Sequence, residues 1–329
     1  MRKFIRSIDF WDLLLATACL AVFIYAAVFV PNIVSGFNLS QLAASASEKA
    51  LLILPMTLLI ITREIDLSIA SVLALTSVVF GLLVQGGVPT LAAIPLTLVF
   101  GGLLGAFNGY LVSGLGLQSL VVTLGTMALY RGIGYILLGT GSVNILPPAV
   151  VDFGISNLPG TQIPWTIVPF LLLAPIFAVV LQKTPTGKRI YALGGSPEVA
   201  RYSGIDTRKM VLKLFVVSGM VAAIAGIVYT ARLSNARANN ALGMELDVIT
   251  IVLLGGVSVF GGKGRLTGVM LALLLIAIIR NVLALNQIGG DAQGMIIGLL
   301  LIGSLLVGNY WRSLEERLSR SRVLRETKG

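Results

Sequence analysis

A chain of 329 residues with 56% hydrophobic and 12% charged side chains has about half the charge density of soluble domains, in which roughly 25% of residues are charged. Its mean hydropathy of +0.95 excludes a cytosolic enzyme, a disordered regulator and a disulfide-stapled secreted domain, and points to an all-α, polytopic membrane protein. The net charge of +10 reads as a membrane topology signal and not as a nucleic-acid surface, while one cysteine and no histidine exclude an internal disulfide, histidine metal sites and Ser–His–Asp catalysis.

Arg2, Lys3 and Arg6 precede an apolar run at residues 13–30 that contains Cys19 and is followed by no small-residue cleavage site. It reads as a retained first span and not as a cleaved signal. Apolar segments at residues 50–61, 67–84, 91–112, 119–138, 165–181, 212–231, 248–260, 266–284 and 295–307 bring the expected spans to ten. Residues 50–61 and 248–260 are short for a bilayer, so each is either extended by its flanks or broken within the membrane. With the N-terminus in the cytoplasm, alternation places nineteen of the twenty-four basic residues on the cytoplasmic side. Both termini are therefore expected to be cytoplasmic. Lys49, Arg131, Arg232, Arg237 and Arg280 fall in spans or outer loops. The basic tail, residues 309–329, reads as a juxtamembrane helix held by anionic lipid, and residues 1–329 as one transmembrane domain.

Glycine rows Gly101/Gly105/Gly109 and Gly294/Gly298, and the small-residue row Ser218/Ala222/Gly226, each lie on one helix face. They serve tight packing within one subunit or a seam between two copies. Polar residues within spans are costly unless paired or wetted. Asn108, Arg131, Arg280 and Asn281 therefore either close helix–helix hydrogen bonds or line a pathway. Glu245, Asp247 and Asp291 are expected as solvated carboxylates near outer span ends.

Three polar interruptions break the apolar pattern. The first is Thr62-Arg63-Glu64-Ile65-Asp66-Leu67-Ser68, read as a charged turn or a broken helix, with Asp66 as N-cap of the next span. The second, residues 183–213, holds seven basic groups. Pro185 and Gly187 end a span there, Gly194-Gly195 turns the chain, and Ser196-Pro197 starts a short helix at residues 197–203 that stops at Gly204. The third is the glycine-rich turn Gly255-Gly256-Val257-Ser258-Val259-Phe260-Gly261-Gly262. It fits neither phosphate-binding fingerprint, so no nucleotide site is encoded.

Together these segments resemble the permease subunit of ATP-binding-cassette sugar importers, the group that takes up ribose, xylose, arabinose, rhamnose and autoinducer-2. The resemblance runs over residues 33–307 and is carried by Ile65-Asp66-Leu67-Ser68, Thr123-Leu124-Gly125-Thr126 with Tyr130-Arg131-Gly132, Ala192-Leu193-Gly194-Gly195, and Leu254-Gly255-Gly256-Val257-Ser258 with Gly261-Gly262. It implies a second permease copy or paralogue, a cytoplasmic ATPase subunit, a periplasmic sugar-binding protein and a bacterial inner-membrane location. The chain itself would be a transport subunit, with no catalytic residues and no bound cofactor or metal. Pro197, Glu198, Val199, Ala200, Arg201, Gly204 and Ile205 resemble the helix that couples such permeases to their ATPase, with Val199 departing from the Glu-Ala-Ala pattern. Ile65–Ser68 and Gly255, Gly256, Gly261 and Gly262 carry over as membrane framework.

Arg63-Glu64 replace two glycines common in relatives, which resembles the rhamnose and autoinducer-2 branches more than the ribose branch. Rhamnose is the expected cargo, with autoinducer-2 or a ribose-type sugar as the alternative. The rival class, an ATP-independent secondary transporter, requires paired ionisable residues near the bilayer midplane. Only Arg131 and Arg280 meet that description in the sequence.

Overall fold

The computed structural model describes residues 10–290, 292–299 and 302–303. Among these residues regular structure is helical, and β-type pairing is limited to isolated bridges between Val143 and Ala236 and between Asn157 and Pro164. The helices are α1 Phe10–Phe29, α2 Gly36–Ile61, α3 Ile69–Gln85, α4 Thr90–Gly109, α5 Ser119–Leu138, α6 Pro148–Ile155 and α7 Val168–Lys183. They continue with α8 Pro185–Gly195, α9 Pro197–Tyr202, α10 Thr207–Leu233, α11 Met244–Leu254 and α12 Leu266–Leu285. Residues 292–299 are helical as well. The expected span at residues 295–307 is therefore described only in part. Asp291 and the basic tail lie outside the described residues.

Among the described residues, seven helical stretches have the length and composition to cross a membrane. The expected number was ten. The difference comes from α3, with 17 residues, from α11, with 11, and from the partly described stretch after residue 290. Two boundaries also change. The short segment expected at residues 50–61 is the second half of the 26-residue α2, which starts at the Ser35 cap and carries Glu48 and Lys49 midway. The segment expected at residues 248–260 stops as helix at Leu254, because Gly255 ends it and Gly256, Gly261 and Gly262 then take positive φ in a turn.

Burial orders the helices. Of the most apolar stretch of α2, 83% is buried, against 17% for α1, so α2 forms the centre and α1 lies at the rim. The long helix α10 packs along α4, α3 and α2. A Cβ on Gly105 would stand 2.2 Å from the carbonyl oxygen of Phe215, and one on Gly101 would stand 2.5 Å from that of Gly219. Backbone contact of this kind is what small residues permit in lipid. The row Ser218, Ala222 and Gly226 is buried too, with Gly226 against Leu73 and Thr76 of α3. These two rows therefore serve packing within the chain. A Cβ on Gly294 or Gly298 would meet nothing within 4 Å among the described residues.

Candidate coupling junction and membrane-embedded polar sites

The three polar interruptions, far apart in sequence, meet at one end of the helix assembly. Helix α2 ends where the Thr62 hydroxyl donates to the Leu59 carbonyl (2.8 Å) and Arg63 adopts φ +69°. That left-handed residue turns its side chain across to α8. Its Nε donates to the Gly194 carbonyl (2.7 Å) and its Nη2 to that of Gly195 (2.6 Å). These carbonyls close α8, so a guanidinium there also complements the negative end of the helix dipole. From the third interruption, the Gly262 N–H donates to the Ile61 carbonyl (2.8 Å), and the Tyr191 hydroxyl of α8 donates to the Gly264 carbonyl (2.7 Å).

Residues 183–213 depart from expectation in two respects. Pro185 begins a helix instead of only ending one. Thr184 caps α8 through its hydroxyl, which accepts from the Gly187 N–H (3.4 Å), and Pro185 occupies the first turn, where its missing N–H costs nothing. Gly194 and Gly195 are the last residues of α8, not a separate turn. The next helix follows its local signals closely. Ser196 Oγ accepts from the Val199 N–H (3.3 Å), Pro197 sits in the first turn, and Gly204 leaves the helix at φ +81°. On α9, Ala200 is buried while Pro197, Glu198 and Arg201 are exposed; just after it Gly204 is exposed and Ile205 half-buried. Val199 is 63% and Tyr202 92% exposed, so two large apolar side chains stand out from a six-residue helix. Just beyond, Asp206 caps α10. The Lys209 backbone N–H and then its ammonium hold the Asp206 carboxyl below its ordinary value.

Behind the junction lies a buried hydrogen-bond network. Asp66 does not cap a span directly. Its Oδ1 accepts from the backbone N–H (3.0 Å) and hydroxyl (2.6 Å) of Ser68, the residue before α3, and its Oδ2 accepts from Ser218 Oγ of α10 (2.9 Å). Asn108 Nδ2 of α4 donates to Ser68 Oγ (2.7 Å), and the Tyr130 hydroxyl of α5 donates to Asn108 Oδ1 (3.0 Å). Ile65 is tied to α5 at both backbone groups: its N–H donates to Ser119 Oγ (3.2 Å) and its carbonyl accepts from Thr123 Oγ1 (3.1 Å). Leu67, between them, is half-buried. The Ile65–Ser68 segment thus knots four helices together, and Asn108 is engaged in that knot.

The remaining polar residues belong to a second region, farther along the helices. Arg232 Nε of α10 pairs with Glu48 Oε1 of α2 at 2.6 Å, and the Glu48 side chain is 1% exposed. The neighbouring Lys49 pairs with Asp247 Oδ2 of α11 (2.8 Å), while Arg280 Nη2 of α12 takes Asp247 Oδ1 (2.6 Å). Asp247, expected as a solvated carboxylate, is therefore an inter-helix hub with a side chain 23% exposed. Glu245 is half-buried and its Oε2 has no hydrogen-bond partner. Asn281 exchanges reciprocal amide hydrogen bonds with Asn38 (2.8 and 3.0 Å). Arg131 donates to the carbonyls of Ala238 (2.8 Å) and Asn240 (2.5 Å), supplying partners for the non-helical stretch between α10 and α11. Arg131, Arg280 and Asn108 thus have separate hydrogen-bond partners.

Sequence alone singles out Lys49, Tyr130 and Ser218 without these partners, and does not single out Glu48 or Tyr191. Glu48-Lys49 carried a signal: with the helix extended back to the Ser35 cap, an opposite-charge pair falls at its middle. The others are ordinary residue types whose partners only the fold reveals.

The family described as "Branched-chain amino acid transport system / permease component" matches residues 38–305. The chain belongs to this permease family. It is 34% identical over 287 residues to the ribose import permease protein of Haemophilus influenzae, covering 85% of this chain and 87% of that one. It is 36% identical over 269 residues to the D-allose transport system permease protein of Escherichia coli, covering 82% of each. It is 34% identical over 260 residues to the autoinducer 2 import system permease protein of Yersinia enterocolitica, covering 76% of this chain and 78% of that one. No solved structure matches. The matched region of the permease takes in α2 to α12, and so the junction and both buried polar regions.

Proposed function

We propose that the chain is the membrane-spanning subunit of an ATP-driven bacterial importer for a monosaccharide or a sugar-like signal. In this reading residues 1–329 form one permease domain of ten spans in the inner membrane, with both termini cytoplasmic and the tail 309–329 against anionic lipid. It acts beside a second permease copy or paralogue, with a cytoplasmic ATPase and a periplasmic binding protein, and holds no cofactor itself. The family description names branched-chain amino acids, but the ribose, allose and autoinducer 2 names of the relatives at 34–36% identity favour a sugar or sugar-like cargo. They support the ribose-type and autoinducer-2 alternatives better than rhamnose.

The observation that carries the mechanism is the exposed helix α9, with Val199 and Tyr202 outward, joined through α8 and Arg63 to the end of the central helix α2. A helix that presents two bare apolar side chains beside Glu198 and Arg201 suits a groove on a soluble partner. Movement of α9 by an ATPase would reach α2 through the junction, and nucleotide would drive the switch by binding one permease state more tightly than the other. Labelled ribose, allose, rhamnose and autoinducer-2 are to be offered to cells with and without the gene. Loss of one substrate alone identifies the cargo, and retention of all four overturns the sugar reading. Within the working system, Gly204→Val, Glu198→Lys and Tyr202→Asp are expected to abolish uptake with the chain still in the membrane; normal uptake in all three would refute the coupling role.

One observation favours a second reading. Glu48–Arg232 and Lys49–Asp247–Arg280 are paired charges, with Glu48 and Lys49 midway along α2 and their partners Arg232 and Asp247 at helix ends, and paired charges of this kind are the feature a secondary transporter needs. Uptake that survives ATP depletion but stops with a protonophore would select it.

A further inference from the structure

The glycine-rich turn between α11 and α12 is held from two sides. Toward the centre, the Gly262 N–H reaches the Ile61 carbonyl of α2, and the Tyr191 hydroxyl of α8 reaches the Gly264 carbonyl. Toward the rim, the Trp11 indole N–H of α1 donates to the Leu254 carbonyl (2.8 Å), and Thr267 Oγ1 of α12 donates to Asp12 Oδ2 (3.1 Å). Within the turn, the Ser258 N–H donates to the Lys263 carbonyl (3.0 Å) and the Gly261 N–H to the Ser258 carbonyl (2.9 Å). The turn therefore has a fixed shape, and its tip carries Val259 and Phe260. Phe260 is 81% and Val259 44% exposed. An aromatic ring offers one of the largest apolar areas a side chain can bury, and the described part of the chain covers little of this one.

The surroundings of the tip select a protein and not a lipid surface. A Cβ on Gly261 would stand 2.6 Å from the Gly194 carbonyl oxygen, and one on Gly262 would stand 2.9 Å from the Gly195 Cα. Phe260 and Pro197 are each two residues from that contact. With 3.8 Å between consecutive Cα atoms, the tip and the start of α9 are no more than about 20 Å apart. A stable protein interface covers about 800 Å² on each partner, a patch roughly 30 Å across. One partner can therefore cover both. The exposed charges around them are of both signs: Arg63, Arg201 and Lys263 beside Glu198 and Asp206. Apolar anchors within a mixed polar rim are the anatomy of a protein interface, whereas anionic headgroups would repel the two carboxylates. An aromatic on a rigid turn also loses little freedom on docking.

We infer that Val259 and Phe260 form a second seat for the cytoplasmic ATPase, remote in sequence from α9. The inference rests on the importer reading above and adds a contact to it. The two seats reach the centre by different routes. Helix α9 acts on α2 through α8 and Arg63, whereas the tip acts on it through the single backbone bond from Gly262 to Ile61. The test uses the full chain with its one cysteine replaced, Cys19→Ser, and a nitroxide label on Phe260→Cys or, separately, on Tyr202→Cys. Each labelled chain is placed in liposomes of phosphatidylcholine and phosphatidylglycerol, and spectra are taken with and without the ABC-type ATPase encoded beside the gene. The affinity of that ATPase for liposomes bearing the Phe260→Asp chain is measured in parallel.

Without ATPase, both labels are expected to be mobile and open to a water-soluble relaxing agent. With it, both should be immobilised and shielded. Phe260→Asp is expected to weaken ATPase binding at least about tenfold, the loss that follows from removing an aromatic anchor. Immobilisation at residue 202 with no change at residue 260 would overturn the second seat and leave the importer reading standing. A label at residue 260 relaxed by oxygen and indifferent to ATPase would place the tip in lipid and overturn it equally. Unaltered affinity in Phe260→Asp would do the same; if that variant does not accumulate, Phe260→Ser decides by the same affinity. No response at either label, or no such ATPase beside the gene, would sink the importer reading itself, and with it this assignment.

Discussion

Arg63 Nε lies 2.7 Å from the carbonyl oxygen of Gly194, a hydrogen bond across 131 residues that joins the end of α2 to the end of α8. With its companion to Gly195 it is a bidentate, charge-assisted contact of a guanidinium with a helix terminus. Bonds to charged groups contribute about 1.5–3 kcal/mol each. Arg63→Ala is expected to speed amide exchange in the last turn of α8 and to reduce solute uptake at least about tenfold, with membrane levels kept. Arg63→Lys should recover only part, since an ammonium cannot reproduce the planar fork. Exchange rates unchanged in the alanine variant would show that the contact does not bind the two helices together.

Gly194 and Gly195 make a matched pair of tests. A Cβ on Gly194 would stand 1.7 Å from the Ile61 carbonyl oxygen and 2.6 Å from Gly262 N, whereas one on Gly195 meets nothing within 4 Å. Gly194→Ala is expected to lower the thermal midpoint by several degrees or to prevent accumulation, a core overpacking cost of about 1–3 kcal/mol or more. Gly195→Ala should behave as wild type. Equal midpoints for the two variants would contradict the close approach.

Glu48 and Arg232 are coupled through burial. Removing one member of a buried pair leaves the other uncompensated and costs about 3–5 kcal/mol. Glu48→Gln and Arg232→Gln should each destabilise the chain strongly, while the double variant should cost less than the sum of the two. Thermal midpoints of the four chains in one detergent give the coupling directly, and simple additivity would show that the pair is not the relevant contact.

Asp206 gives a dependence on pH. Its carboxyl is held below the ordinary value, chiefly by the Lys209 backbone N–H, so the capping contribution is fully present above the unfolded carboxylate value of about 3.9 and is lost as pH falls through the lower, folded one. Protection of the Lys209 amide, compared with Asp206→Ala at each pH, should be constant from pH 5 to 8 and vanish only in stronger acid. A loss of protection beginning near pH 6 would contradict this.

What the sequence revealed follows the range of the interactions. Helix α9 was legible almost to the residue, because Ser196, Pro197 and Gly204 act on backbone within one or two turns. The glycine row on α4 was legible as a packing face, though not its partner α10. The start of α2 was not legible. Glu48 and Lys49 lower the local hydropathy, and the residues that neutralise them lie on α10, α11 and α12. Asp66 was read as a cap because aspartate so often is one. Its surplus oxygen, which holds Ser218 on α10, could be found only from the fold. The same distance effect hid the Asp247 hub.

The position of Glu48 also bears on how the chain is made. Its partner Arg232 follows 184 residues later. At ribosomal rates of about 5–20 residues per second, α2 waits roughly ten to forty seconds before α10 emerges. A charged residue at the centre of a lone helix disfavours insertion by about 2.5–3.5 kcal/mol. Through that interval α2 is a poor candidate for release into lipid, so the insertion machinery must retain it at the protein-lined exit until the later helices arrive. The centre of the finished permease is, in order of assembly, among the last parts to settle.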